Sequence, residues 1–205
     1  MKRRAFAVAG AVLCLLALVS LPAVSADKAV GSPFYGGKLL VASPTLTDPY
    51  FTKTVVFMID HSDSGAMGLI VNRVYGSEQI DRLLEGFGIE GAERNDEISL
   101  HFGGPVSRGH AFVLHSPDYA GPKTLKVTDD VAVTSRPDVL EAMGRGEGPE
   151  KGVLILGYAG WGAGQLENEI KRGDWTSMPA DADLIFSDDV DKVWDRATRR
   201  SGMSL

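Results

Sequence analysis

VLILGYAGWGAGQLENEI (Val153–Ile170) runs from a wholly apolar stretch into alternating glycines, Gly160, Gly162 and Gly164, and then into an acidic amphipathic segment. Strand, glycine loop, helix is the order in which nucleotide-binding folds hold phosphate on a helix N-terminus. The spacing argues against that chemistry. Counted from Gly160, the last position of a Gly-x-Gly-x-x-Gly fingerprint is Gln165, and no lysine lies between Lys151 and Lys171 to complete a Walker loop. Glu167 and Glu169 fall in the first turns of the helix expected over 164–172. There they complement the helix dipole and repel an anion by about 1 kcal/mol or more each at contact range. The glycines therefore read as a tight corner after a strand over 152–159. That strand, the most uniformly apolar of the chain, is expected at the centre of the sheet. No cofactor is expected.

Outward from this strand, KLLVAS (38–43), TVVFMID (54–60) and GLIVNR (68–73) read as strands, with a turn at HSDSGAM. The second and third are apolar on both parities, so both of their faces should be covered. ISLHF (98–102), HAFVLH (110–115) and KTLKV (123–127) read as further strands, and Val131 and Val133 continue the alternation. Helices are expected over 78–87, where Ile80, Leu83, Leu84 and Phe87 form a stripe behind a Ser77 N-cap. They are also expected over 136–146 and over 188–200, whose acids lead and bases trail. ADLIF (182–186) reads as a strand. Strands outnumber helices and alternate with them only in part. The expectation is α+β: a single domain with a large mixed, strongly bent β-sheet and helices packed on its faces. The alternative is a regular doubly wound sheet.

The first residues read differently. Lys2, Arg3 and Arg4 precede an apolar run from Ala5 to Leu21, and the small residues Val24, Ser25 and Ala26 follow. That is the pattern of a signal peptide over 1–26, cleaved after Ala26, in a periplasmic or secreted protein with no stable membrane span after cleavage. The twin arginines leave a second export route open. Residues 27–37 read as a flexible lead and 38–202 as the domain. Removing the leader takes away three positive charges and no acid, so the formal charge of −6 becomes −9. The leader also holds the lone cysteine, Cys14, which leaves no thiol chemistry. So acidic a chain argues against nucleic acid as a partner.

The histidines carry no metal-ligand spacing, and no metal is expected. There is no Gly-x-Ser-x-Gly elbow. Asn72 and Arg73 end a buried strand, where an arginine would pair with a carboxylate such as Asp48 or Glu167. Together with the Gly103-Gly104 turn and the Trp161 and Gln165 side chains of the glycine corner, they form one candidate ligand-binding or structural cluster. A small molecule or a protein is the expected partner. Asp48, His101 and Glu167 could alternatively serve as acid and base in a hydrolase or lyase.

The blocks ASPTLTDPYFTKTVVFM, GAMGLIVNR, HFGGPV, FVLHS and LGYAGWGAGQLENEI…DW together resemble the AlgH/YqgE family of bacterial proteins, from about Gly37 to Gly202. The resemblance implies an α+β fold with a large folded-over mixed sheet and no established activity. It also carries a transcriptional-regulator label, which the acidic charge and the absence of a helix-turn-helix pattern do not support. Val74 stands where the family commonly has proline, and Gly173 where it often has asparagine. The export signal departs from a family that is generally intracellular.

Overall fold

The computed structural model describes residues 34–89 and 96–203; the expected leader and the first part of the lead lie outside them. Ten strands and five helices follow in order. They are β1 (Lys38–Ala42), β2 (Val55–Ser62), β3 (Gly65–Ile70), β4 (Val74–Gln79), α1 (Ile80–Gly86), β5 (Glu97–Phe102), β6 (Val106–His115), β7 (Thr124–Lys126), β8 (Ala132–Thr134), α2 (Asp138–Gly144), β9 (Gly152–Gly162), α3 (Gln165–Arg172), β10 (Trp175–Pro179), α4 (Ala182–Ile185) and α5 (Val193–Arg200), the last preceded by a 3-10 turn at Val190–Lys192. The strands form one sheet ordered β10-β1-β2-β3-β9-β6-β8-β7, with a side branch in which β5 joins β9 and β4 joins β5. The β5–β9 pair is parallel and every other pair antiparallel, so the sheet is mixed.

β9 is the centre, as its apolar run implies, but it does not end at residue 159. It continues through Gly160 and Gly162, so the expected glycine corner is the far half of the strand. One edge of β9 serves two partners. Residues 159–162 pair with β3, and residues 153–156 pair with β5. The chain after β5 makes the fork: Ile70 N–H donates to Gly103 O, while Gly103 N–H donates to Leu156 O. A side chain at Gly103 or Gly104 would run into the backbone of residues 157–159. Bare backbone is what lets a strand be driven between two others.

Gly157 sits opposite that fork with φ +73°. Before it, Ile155 faces one core and Leu154 another; beyond it, Tyr158 packs where odd-numbered residues had packed, and Ala159 and Trp161 face the other way. The shift in pairing between β6 and β9 lies at the same point. One left-handed residue thus reverses the in-out alternation of the longest strand and bends the sheet. Three cores result. Leu39, Phe57 and Leu69 line the inner face of the curl with Leu184, Trp194 and Ala197 of α4 and α5. Met58, Ile70, Trp161 and Trp175 pack outside under α3, and Ile80, Val113 and Leu140 pack under α1 and α2.

Several local expectations change. Ser77 is not an N-cap: it lies in β4, its hydroxyl donates to Glu97, and α1 begins at Ile80 behind Gln79. Residues 182–185 are a helix, because Asp181 accepts from Asp183 N–H and caps it. β4 and β10 had no hydrophobic alternation to announce them; both are edge strands of mixed polarity. Gly173 is the left-handed C-cap of α3, φ +82°, a position that suits glycine or asparagine. The end of the lead is tied down by Gly37 N–H to Met58 O and Tyr35 N–H to His61.

Candidate functional site

The curl brings β7 round to face the β2–β3 hairpin, although five pairings separate β7 from β2 along the sheet. α5 fills the end of the enclosed space near Val55 and Val71. The other end stays open as a groove of about 560 Å³. Its floor is Ile59, Met67, Val106, Leu125 and Tyr158; Asp60 and Ser62 lie on the β2 side, Lys123 and Thr124 on the β7 side. Gly160 opens the floor, because a Cβ there would stand 3.3 Å from the Tyr158 ring.

The residues singled out from sequence are divided among several places. Asn72 and Arg73 clamp the loop ahead of β2. Asn72 Oδ1 accepts from Val55 N–H, Asn72 Nδ2 donates to Lys53 O, and Arg73 Nη2 donates to Thr52 O. Asp48 caps the turn in the same loop, accepting from Tyr50 N–H. Asp48 and Arg73 are therefore neighbours through Thr52, but no ion pair joins them. Gly103 and Gly104 form the fork. Glu167 lies at the far end of β2, with its Oε1 2.8 Å from His61 Nε2. Tyr35 N–H donates to His61 Nδ1, so the ring proton sits on Nε2 and is given to Glu167. The Glu167 carboxyl is held below its ordinary range, first by its own backbone N–H and then by His61.

Trp161 and Gln165 do share a network, and its hub is Glu169. Glu169 Oε2 accepts both indole N–H groups, Trp161 at 2.8 Å and Trp175 at 2.9 Å, and Oε1 accepts from Gln165 Nε2 at 2.9 Å. Gln165 Oε1 closes the ring by accepting from Gly162 N–H. Phe51 packs against both indoles. Trp161 also borders the groove. From sequence, Glu169 reads as a helix-start acid and a possible acid or base beside Trp161 and Gln165; the missing information was Trp175, whose strand was not legible. Among the described residues no three His, Cys, Asp or Glu side chains converge as a metal site.

Two further histidines are buried and neutral. His101, 2 % exposed, gives its Nδ1 proton to Val71 O and lies 3.0 Å from Ser99 Oγ. His115, fully buried, gives its Nδ1 proton to Ser116 O and accepts from Thr134, whose hydroxyl bonds Thr124. Burial lowers both pKa values, against the opposing pull of those carbonyls. The unfolded chain therefore takes up protons below its ordinary histidine pKa of about 6.5 while the folded chain does not. Stability should be flat above that pH and fall below it, by up to about 1.4 kcal/mol per pH unit for each histidine, until the lowered folded values are reached. Urea denaturation from pH 7.5 down to 5 measures this; an unchanged midpoint would refute it.

The family model described as AlgH-like matches residues 39–205. The chain belongs to the AlgH-like family. A UPF0301 protein of Methylococcus capsulatus is 46 % identical over 169 residues, covering 82 % of this chain and 92 % of that one. A UPF0301 protein of Cereibacter sphaeroides is 42 % identical over 168 residues, covering 82 % and 91 %. The solution structure of AlgH from Pseudomonas aeruginosa superposes with a TM-score of 0.71 at 35 % identity, covering 87 % of this chain and 95 % of that one. A crystal structure from Corynebacterium diphtheriae shares the fold, with a TM-score of 0.63 at 19 % identity over 81 % and 86 % of the two chains. The AlgH-like family's biochemical function is uncharacterised.

Proposed function

We propose that this AlgH-like protein is a non-catalytic ligand-binding or regulatory domain that acts after export and takes a small molecule in the groove of the curled sheet. The groove carries the reading. Its volume is within the range of small-molecule sites, and its surface combines an apolar floor with a few polar groups at the rim, the usual composition of such sites. Asp48, His101 and Glu167, the candidate acids and bases, belong to three separate hydrogen-bonded sets and none lines the groove. The basic, apolar and small-residue pattern of residues 2–26 supports export.

Native mass spectrometry of the protein from separated cell fractions tests both parts. The expected species begins at Asp27, comes from the periplasm or medium, and carries a small molecule. The Gly160→Leu variant, whose side chain projects into the groove, should be exported equally and carry none. An intact N-terminus in the cytoplasm would refute export. A bare mass for both proteins would refute ligand capture.

A further inference from the structure

We propose that the occupant of the groove is a bipolar molecule, with a cationic group seated at Asp60, a carboxylate seated at Lys123 and an apolar body between them. This rests on the groove being a ligand site, and two backbone irregularities supply it.

The first is the β-bulge in β2. Pairing with β3 shifts between Met58 and Asp60. Val55, Phe57 and Ile59 face the inner core, and strict alternation would turn Asp60 to the opposite face. The extra residue instead places Ile59, Asp60 and Ser62 all along the groove, while His61 points away to Glu167. Bulges re-aim side chains in this way, often beside functional sites. The side chain re-aimed here is a half-buried carboxylate with no ion pair or hydrogen bond to any described residue.

The second is the turn Gly121-Pro122-Lys123-Thr124, closed by Thr124 N–H to Gly121 O at 3.2 Å. Lys123 occupies the third position with φ +60°. Proline at the second position and a left-handed third residue describe a type II turn, which calls for glycine or asparagine where this chain has lysine. Lys53 is also left-handed, at φ +53°, but Asn72 holds its carbonyl and its ammonium packs over Trp194. Lys123 has neither support, and no carboxylate among the described residues comes within ion-pairing distance of it. A left-handed non-glycine residue whose side chain has no partner in the protein is a candidate for function.

Two opposite charges thus border one apolar groove, one from the β2 side and one from the β7 side, and they do not pair with each other. A zwitterion with an apolar middle satisfies both. A simple fatty acid would leave Asp60 unpaired, and an alkylamine would leave Lys123 unpaired.

The test uses the full chain and linear ω-amino acids of increasing length, each beside the fatty acid, amine and alcohol of matching length, with binding read from shifts of the groove amide resonances. At its best length the ω-amino acid should bind about tenfold or more tightly than any of the three controls, the ratio expected for one added charged contact. Lys123→Gly should abolish its advantage over the amine and raise Tm, because glycine relaxes the turn. Asp60→Asn should abolish its advantage over the fatty acid. Equal binding of all four probes, or an advantage that survives Lys123→Gly, would overturn the bipolar assignment and leave the groove reading intact. No shift with any probe would overturn both.

Discussion

Replacing Gly157 with alanine is expected to destabilise the fold by on the order of 2–5 kcal/mol, about twice the cost of the same substitution at Gly173. Both residues are left-handed, at φ +73° and +82°. An L side chain in that region costs about 1–2 kcal/mol wherever it occurs. At Gly173 that is the whole cost, because a Cβ there would meet nothing within 4 Å. At Gly157 the Cβ would stand 2.6 Å from Gly104 O and 2.9 Å from Val106 O. Both contacts are backbone, so relief requires moving the fork or the start of β6 away from the central strand, an overpacking cost of about 1–3 kcal/mol more. Paired urea denaturation curves give the comparison. Equal losses at the two sites would mean that the sheet can open at the fork without loss, and the account of the bend would fail.

Glu169→Leu should cost about 3 kcal/mol for a different reason. Trp161 is 6 % exposed and Trp175 is 3 % exposed, and both indole N–H groups end on one carboxylate oxygen. Leucine leaves two buried donors without an acceptor, each worth roughly 1–3 kcal/mol. Glu169→Gln retains an oxygen that can accept from both indoles, so it should lose only about 1 kcal/mol, the difference between a charged and a neutral acceptor. Tryptophan fluorescence together with denaturant midpoints separates the variants. A leucine variant as stable as the glutamine one would show that the indoles find other partners and that the carboxylate is not the hub.

The parts of this fold that were legible in the sequence are those in which burial writes a pattern. β2, β3 and β9 are apolar on both parities because each has a core on either side, and α5 carries its inward stripe of Val193, Trp194 and Ala197. What remained hidden lacks such a pattern. The exposed β4 offers nothing to alternate. The reversal at Gly157 is invisible because a glycine inside an apolar run reads as filler until its φ is known. The groove escaped for a related reason. Asp60 reads as a residue on the outer face, and only the bulge turns it inward; Lys123 reads as an ordinary surface lysine, and only its backbone angle sets it apart. The candidate cluster scattered because Asn72 and Arg73 are occupied with loop carbonyls, a role that spacing along the chain does not reveal.

The fork also bears on when the chain can fold. β1 to β3 and the β4–β5 pair can close as local hairpins, but their common partner is the last of the central strands to be made. A growing polypeptide therefore cannot join these hairpins until residue 162 has left the ribosome. Late placement of its keystone strand makes joining the hairpins, rather than forming them, the step that completes the sheet.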